Sequence, residues 1–142
     1  MGLFSRKDKD DRPMTDAELN ERSRVDGIRF KELQVVAQLM KIGADLKAPR
    51  HTLFYLYFPD EASAAPVAEA LRGAGLSAEV KEPWEKVREW AVIAECRDRA
   101  LIPDFLRDTV DLCEELAAAH GGEYDGWEAG MTEAEAAARK KG

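Results

Sequence analysis

The sequence predicts an α+β fold built around a four-stranded antiparallel sheet, and three observations predict it. Residues 53–58 and 90–96 are apolar on both faces, as the central strands of a sheet require. Residues 76–81 alternate between apolar and polar side chains, which is typical of a half-buried edge strand. A helical pattern follows the first strand, and another separates the third strand from a short fourth. This β-α-β-β-α-β order is the ferredoxin-like plan, here with an additional N-terminal helix.

The chain accordingly divides into four segments. These are a flexible charged leader (residues 1–13), an N-terminal amphipathic helix (14–43), the ferredoxin-like domain (50–129) and a C-terminal tail or short helix (130–142). The 142 residues, of which 45% are hydrophobic, are enough for one core but not for two.

The N-terminal helix is predicted to begin at Asp16, because Thr15 and Glu18 match a capping box in which both side chains bond backbone N–H groups. Gly43 ends it, and Gly27 inside it predicts fraying nearby. Its apolar stripe comprises Val25, Ile28, Leu33, Val36, Ala37 and Met40. Because this stripe must be buried, we expect one of two arrangements. The helix either covers the sheet face that the other helices leave free, or forms a homodimer through Leu33, Val36 and Met40.

Side-chain parity assigns the two faces of the sheet. In the first strand Phe54, Leu56 and Phe58 are predicted to face the helices, which leaves Leu53, Tyr55 and Tyr57 on the opposite face. In the third strand the inward set is Trp90, Val92, Ala94 and Cys96, and the outward set is Ala91, Ile93 and Glu95. The opposite face is therefore expected to be aromatic and to carry an acid.

The charge distribution indicates a basic partner. The net charge is −7, and residues 51–135 alone hold 7 Lys and Arg against 19 Asp and Glu, a balance of −12. Such a field repels phosphate backbones and attracts basic proteins. With no apolar run near the length of a membrane span and no signal-peptide pattern, we expect a cytoplasmic protein without membrane contact.

The sequence has no recognisable catalytic or metal-binding pattern. His51 and His120 are the only histidines, and neither stands at a known spacing from a nucleophile or from further metal ligands. Cys96 and Cys113 fall in a strand and a helix, where free buried thiols are the default. We therefore expect no enzyme activity, no metal and no cofactor.

RNA binding is a competing interpretation. RRM domains share this strand order and stack bases on sheet aromatics, positions that Tyr55 and Tyr57 match. The acidic balance opposes it, as does the lack of a basic-Gly-aromatic pattern in the third strand. Packing of both tyrosines beneath the N-terminal helix is the simpler explanation, so we expect no direct nucleic-acid binding.

The least generic segment is Glu-Tyr-Asp-Gly-Trp-Glu at residues 123–128, entered through Gly121 and Gly122. Gly122 and Gly126 allow a tight entry and a bulge or close approach at an edge strand, while the two aromatics are expected on opposite faces as anchors. Anchoring requires neither acid. We therefore predict a partner-binding edge patch that captures an Arg-rich surface through cation–π contacts and charged hydrogen bonds. Its members are Tyr124, Asp125, Trp127 and Glu128.

Together with Phe-Tyr-Leu-Tyr-Phe-Pro-Asp at 54–60, Trp-Ala-Val-Ile-Ala at 90–94 and His-Gly-Gly at 120–122, this segment resembles the RraB family of regulators of ribonuclease E activity. The likeness covers about residues 50–129. It implies a non-catalytic protein that binds the basic C-terminal part of ribonuclease E and changes RNA cleavage indirectly. Relatives with that role tend to carry a long acidic tail, whereas residues 130–142 hold two acids and three bases. A self-associating adaptor with another basic protein partner is therefore the alternative.

Overall fold

The computed structural model describes residues 13–23 and 27–141, which form an α+β fold with a four-stranded antiparallel sheet. The strands are β1 (Arg50–Phe58), β2 (Ser77–Lys81), β3 (Trp90–Arg99) and β4 (Glu123–Ala129). The helices are α1 (Asp16–Asn20), α2 (Phe30–Lys41), α3 (Glu61–Gly73), α4 (Pro103–Ala119) and α5 (Glu133–Lys141). The strand order is β2-β3-β1-β4. The two strands that are apolar on both faces, β1 and β3, therefore lie at the centre, as predicted.

The alternation of burial along the central strands confirms the predicted faces. In β1 the buried set includes Phe54, Leu56 and Phe58, and the half-buried set includes Leu53, Tyr55 and Tyr57. β3 follows the same parity, because buried Val92 lies beside Leu56 and half-buried Ile93 lies beside Tyr55. One face of the sheet therefore carries the core, and the other carries the two tyrosines.

Helices α3 and α4 cover the core face. Asp60 caps α3 by accepting a hydrogen bond of 2.8 Å from the Ser63 backbone N–H, and Pro103 opens α4. The apolar residues that recur at helical spacing along α4 are all buried, namely Leu106, Val110, Cys113 and Ala117. They join the inner side chains of the sheet in a continuous hydrophobic core. Among the helices in the described ranges, none is long and apolar enough to cross a bilayer.

The N-terminal helix predicted as one segment is interrupted and forms two helices. The capping box at Thr15 is present and starts α1. The chain then turns back on itself, since the Ser23 N–H donates to the Ile28 carbonyl at 2.7 Å and Gly27 has a φ of +67°. A residue with left-handed φ does not continue a right-handed helix, so α2 begins only at Phe30.

Helix α2 lies on the helix side of the sheet, so of the two sites expected for it, the opposite sheet face is wrong. Arg29, just before α2, pairs with Glu114 of α4, and Arg22 pairs with Asp111 of α4 at 2.8 Å. Leu39 of α2 belongs to the hydrophobic core. These contacts place α2 beside α4 and β4. The two sheet tyrosines therefore do not pack beneath it.

Helix α5 is attached to the sheet by a buried arginine. The Arg50 side chain is fully buried and donates to both carboxylate oxygens of Glu135 at 2.8 Å, and also to the carbonyls of Gly130 and Asp45. Glu135 accepts further hydrogen bonds from the backbone N–H groups of Asp45 and Thr132. The Arg50 hydrogen bond is the main reason that the pKa of Glu135 falls to about 2. Charged hydrogen bonds thus hold α5 in place.

Candidate functional site

Strand β4 contains a β-bulge at Asp125. Tyr124 pairs with Leu56 and Gly126 pairs with Tyr55, so Asp125 is an extra residue with no counterpart in β1. Gly126 has a φ of +116°, a left-handed conformation that side chains other than glycine's rarely adopt. The glycine therefore marks a bulge, one of the two features that the sequence predicted for the glycines of this edge strand.

The bulge puts Tyr124 and Trp127 on the same face of the sheet, so the prediction of opposite faces is wrong. Tyr124 lies beside Leu56 and Trp127 lies beside Phe54, and both of these β1 residues face the helices. One inserted residue shifts the period-two alternation by one position. The four predicted partner-binding residues are consequently divided: Tyr124 and Trp127 point inward, while Asp125 and Glu128 are exposed.

The two inward aromatics anchor β4 to the helix layer. Trp127 is 9% exposed and belongs to the hydrophobic core. The Tyr124 hydroxyl is buried and has no hydrogen-bond partner in the described ranges. Burial raises the pKa of Tyr124, and the neighbouring Cys113 and Glu32 raise it further. Burial also raises the pKa of Cys113 to about 12, which keeps this thiol protonated and unreactive at neutral pH.

The face of the sheet opposite the helices presents Leu53, Tyr55, Tyr57 and Ile93, which together we term the open face. All four are half-buried by their neighbours in the sheet, and none belongs to the core beneath the helices. A cavity of about 260 Å³ on this face is lined by Leu53, Tyr55 and Ile93 together with residues of β2. An apolar and aromatic surface of this kind is a candidate docking site.

Carboxylates from β4 adjoin the two tyrosines. The Tyr55 hydroxyl donates a hydrogen bond of 2.5 Å to Glu128 Oε1, which is the main cause that raises the pKa of Tyr55 to about 12. The pKa of Tyr57 is raised first by burial and then by the charge of Asp125. Asp125 and Glu128 therefore lie next to the aromatic centre of the open face.

The acids on the β2 and β3 side of the open face already have cationic neighbours. Glu95 contacts His51 Nε2 at 2.5 Å and Arg97 at 3.4 Å, and Glu79 pairs with Lys81 at 2.9 Å. In contrast, neither Asp125 nor Glu128 forms an ion pair within the described ranges. Both carboxylates are therefore available to an incoming cation.

A family model matches the part of the chain that carries this site. The family described as regulator of ribonuclease activity B (RraB) matches residues 31–129, well over half of the 142 residues. The chain belongs to the RraB family. The match runs from the first turn of α2 to the last residue of β4, so α2 lies within the RraB region, which the resemblance at residues 50–129 did not include. No curated protein matches the chain.

The RraB region also contains a cavity that the sequence did not reveal. It lies between α2 and β4, has a volume of about 320 Å³, and is lined by Lys31, Glu32, Val35, Tyr124, Asp125, Gly126 and Trp127. We term it the Glu32 cavity, because Glu32 is only 4% exposed despite its charge. A signal was present in the spacing: Glu32 stands four residues after Ile28 and three before Val35, inside the apolar stripe of the helix.

The residues predicted for self-association differ in exposure along α2. Met40 is 59% exposed, whereas Leu33 and Val36 are half-buried and Val36 packs against the core. Val25, the first member of the predicted stripe, lies outside the described residues. Self-association of this RraB-family protein through α2 therefore stays a prediction.

Proposed function

We propose that this RraB-family protein is a non-enzymatic regulator that binds ribonuclease E, a partner with a basic surface, and thereby modulates RNA cleavage. The family supports regulation of ribonuclease activity. The mode of binding rests on one observation: an uncovered aromatic sheet face adjoins two carboxylates, Asp125 and Glu128, that have no cationic partner in the described part of the chain.

The chemistry of the open face is complementary to an arginine-rich segment. A guanidinium group over the ring of Tyr55 or Tyr57 gains about 0.5–1 kcal/mol of cation–π attraction at an exposed site. The adjacent carboxylates of Glu128 and Asp125 can accept charge-assisted hydrogen bonds from the same group. The net charge of −7 adds long-range attraction that accelerates association with a basic protein.

We further propose that the domain is ferredoxin-like. The element order β1-α3-β2-β3-α4-β4 and the strand order β2-β3-β1-β4 support this plan. In an α+β fold of this kind the helices collect on one face of the antiparallel sheet. The other face is then free to serve as a docking surface, which is the role assigned to the open face.

The test is retention on an immobilised C-terminal segment of ribonuclease E. We expect retention at about 50 mM salt and release as salt rises, because exposed charge pairs are screened more strongly at higher ionic strength. A polylysine column of matched charge density is the control. Absence of retention at low salt, or equal retention on polylysine, would exclude ribonuclease E as a specific partner.

RNA binding is the alternative that the half-buried Tyr55 and Tyr57 favour, because a base could stack on either ring. The carboxylates beside them oppose it, since they repel phosphates. We expect a flat anisotropy curve when fluorescently labelled single-stranded RNA is titrated with the protein at 50 mM salt. Saturable binding that Tyr55→Ala abolishes would replace the protein-partner proposal.

Self-association through α2 is a second role, favoured by the exposure of Met40. A dimer formed there buries Met40 together with the exposed parts of Leu33 and Val36. Met40→Asp is the cleanest variant, since Val36 also contributes to the core. Sedimentation velocity should then give a lower mass for Met40→Asp than for the unmodified chain, and equal monomeric masses would refute a dimer.

A further inference from the structure

The Glu32 cavity contains an acid that forms no ion pair in the described part of the chain. Glu32 Oε2 is buried and has no hydrogen-bond partner among the described residues. The nearby Arg29 does not supply one, because it pairs with Glu114 and Asp111 of α4. A buried carboxylate oxygen without a partner is unfavourable, and such atoms usually accept a hydrogen bond from a cation or another donor.

The surroundings of Glu32 disfavour its ionised form. Burial is the main cause that raises its pKa, and the charge of Glu114 adds to it, while Lys31 and Arg29 lower it. An acid with a raised folded-state pKa binds its proton more tightly when folded, so it destabilises the fold above the ordinary glutamate pKa. Folding alone therefore does not explain a glutamate at this position.

The other walls of the cavity indicate what kind of cation fits. The buried Tyr124 hydroxyl also has no partner in the described ranges, and Trp127 lines the same cavity. A guanidinium group is planar, carries five N–H donors, is weakly hydrated and stacks on aromatic rings. An ammonium group is compact and strongly hydrated, so it fits the acceptor oxygens of Glu32 and Tyr124 and the rings of Tyr124 and Trp127 less well.

We propose that the Glu32 cavity receives an arginine side chain of the protein partner, whose guanidinium donates to Glu32 and Tyr124 and lies against Trp127. This rests on the proposed function, since the arginine belongs to the basic partner. The volume of about 320 Å³ lies within the range of small-molecule sites. Asp125 lines this cavity and also influences Tyr57 of the open face, so a partner that crosses the bulge reaches both surfaces.

The test uses the full chain and the short peptide acetyl-Gly-Arg-Gly-amide, with the citrulline peptide as a neutral control of nearly the same shape. The readouts are the NMR shifts of the Gly126 amide and the Trp127 indole N–H, both on residues that line the cavity. We expect saturable shifts with arginine and about tenfold weaker binding of citrulline, because the charged hydrogen bond is lost. Equal responses to the two peptides would overturn the proposal.

Two variants distinguish arginine binding in the Glu32 cavity from attraction to the overall negative charge of the protein. Glu32→Gln keeps the shape and should reduce arginine binding about tenfold without lowering the unfolding temperature, since the unpaired charge is removed. Lys31→Gln removes a competing cation from the cavity lining and should strengthen binding. Undiminished arginine binding by Glu32→Gln would overturn the assignment.

The ribonuclease E column distinguishes this inference from the proposed function. If the protein is retained on the column but the arginine peptide causes no NMR shifts, the cavity proposal is overturned and the proposed function is left intact. An arginine-specific response that Glu32→Gln removes, without retention on the column, supports the cavity and rejects the named partner.

Discussion

Tyr55 of β1 and Glu128 of β4 are joined across the open face by a hydroxyl-to-carboxylate hydrogen bond of 2.5 Å. The direct cross-strand neighbour of Glu128 is Leu53, so this contact runs diagonally between the strands. The hydrogen bond holds the exposed carboxylate beside the aromatic centre of the open face. Ring and acid are thus presented together, so that one arginine side chain can contact both.

Removing the Tyr55 hydroxyl should weaken partner binding without affecting the fold. In Tyr55→Phe the ring remains, but Glu128 is no longer oriented, so we expect about threefold weaker binding of the ribonuclease E segment. Tyr57→Phe is the control, because no hydrogen bond of the Tyr57 hydroxyl is found in the described ranges. Calorimetric titration of both variants makes the comparison, and equal affinities for the two would contradict the orienting role.

The entry into β4 requires glycine at position 122. A Cβ atom there would lie 2.3 Å from Cδ1 of Phe58 and 2.4 Å from the Tyr57 carbonyl oxygen. Because the carbonyl is backbone and Phe58 is fully packed, neither can move away easily. Gly122→Ala should therefore lower the free energy of unfolding by about 2 kcal/mol or more.

Gly130→Ala provides the matched control for that substitution. A Cβ atom at Gly130 meets nothing within 4 Å, and its φ is not positive. Its effect should stay within about 0.5 kcal/mol, as for most surface changes. Urea denaturation of both variants measures the difference, and comparable losses would show that the close approach at Gly122 is not what fixes β4.

The Arg50–Glu135 pair should make stability depend on pH in the acid range. The folded-state pKa of Glu135 is about 2, and the ordinary glutamate pKa is about 4.3. For an acid whose pKa is lowered, the stabilisation is fully present above the unfolded value and is lost as pH falls through the folded value. The relevant window is therefore about pH 5 down to pH 2.

Glu135→Gln tests this pair, because it leaves the buried Arg50 guanidinium without its counter-charge. We expect a loss of about 3 kcal/mol at pH 7, and a smaller difference at pH 3, where the unmodified protein has begun to lose the same contribution. Glu133→Gln, exposed in the same first turn, is the control. Denaturation curves at the two pH values measure the loss of unfolding free energy in the variant. A loss that does not depend on pH would argue against the ion pair.

Much of the sheet could be predicted because burial in β1 follows an unbroken period of two, and β3 keeps the same alternation from Val92 to Cys96. Phe54 and Leu56 face the core and Tyr55 faces outward, as counting along the strand requires. The same count of alternating residues failed at Trp127, because the bulge at Asp125 shifts the alternation by one residue. The position of the bulge depends on how β4 pairs with β1. A glycine such as Gly126 indicates that a bulge is feasible but not which neighbouring residue is inserted.

The N-terminal helices could be predicted only in part. The capping box at Thr15 and the apolar spacing of α2 are local signals, and both helices formed where these signals stand. The interruption depends on contacts distant in sequence, since Arg22 and Arg29 pair with Asp111 and Glu114 of α4. The Glu32 cavity likewise arises only when α2 meets β4, so a glutamate within an apolar stripe was its only local sign.

The most direct test of the account is calorimetric titration of the ribonuclease E segment at 50 mM salt into two charge-matched double variants and the unmodified protein. Asp125→Asn with Glu128→Gln removes two charges beside the open face, and Glu61→Gln with Glu115→Gln removes two exposed charges from α3 and α4. We predict saturable binding that the first pair weakens by about tenfold and the second pair leaves nearly unchanged. Equal weakening by both pairs, or no binding to the unmodified protein, would contradict the account.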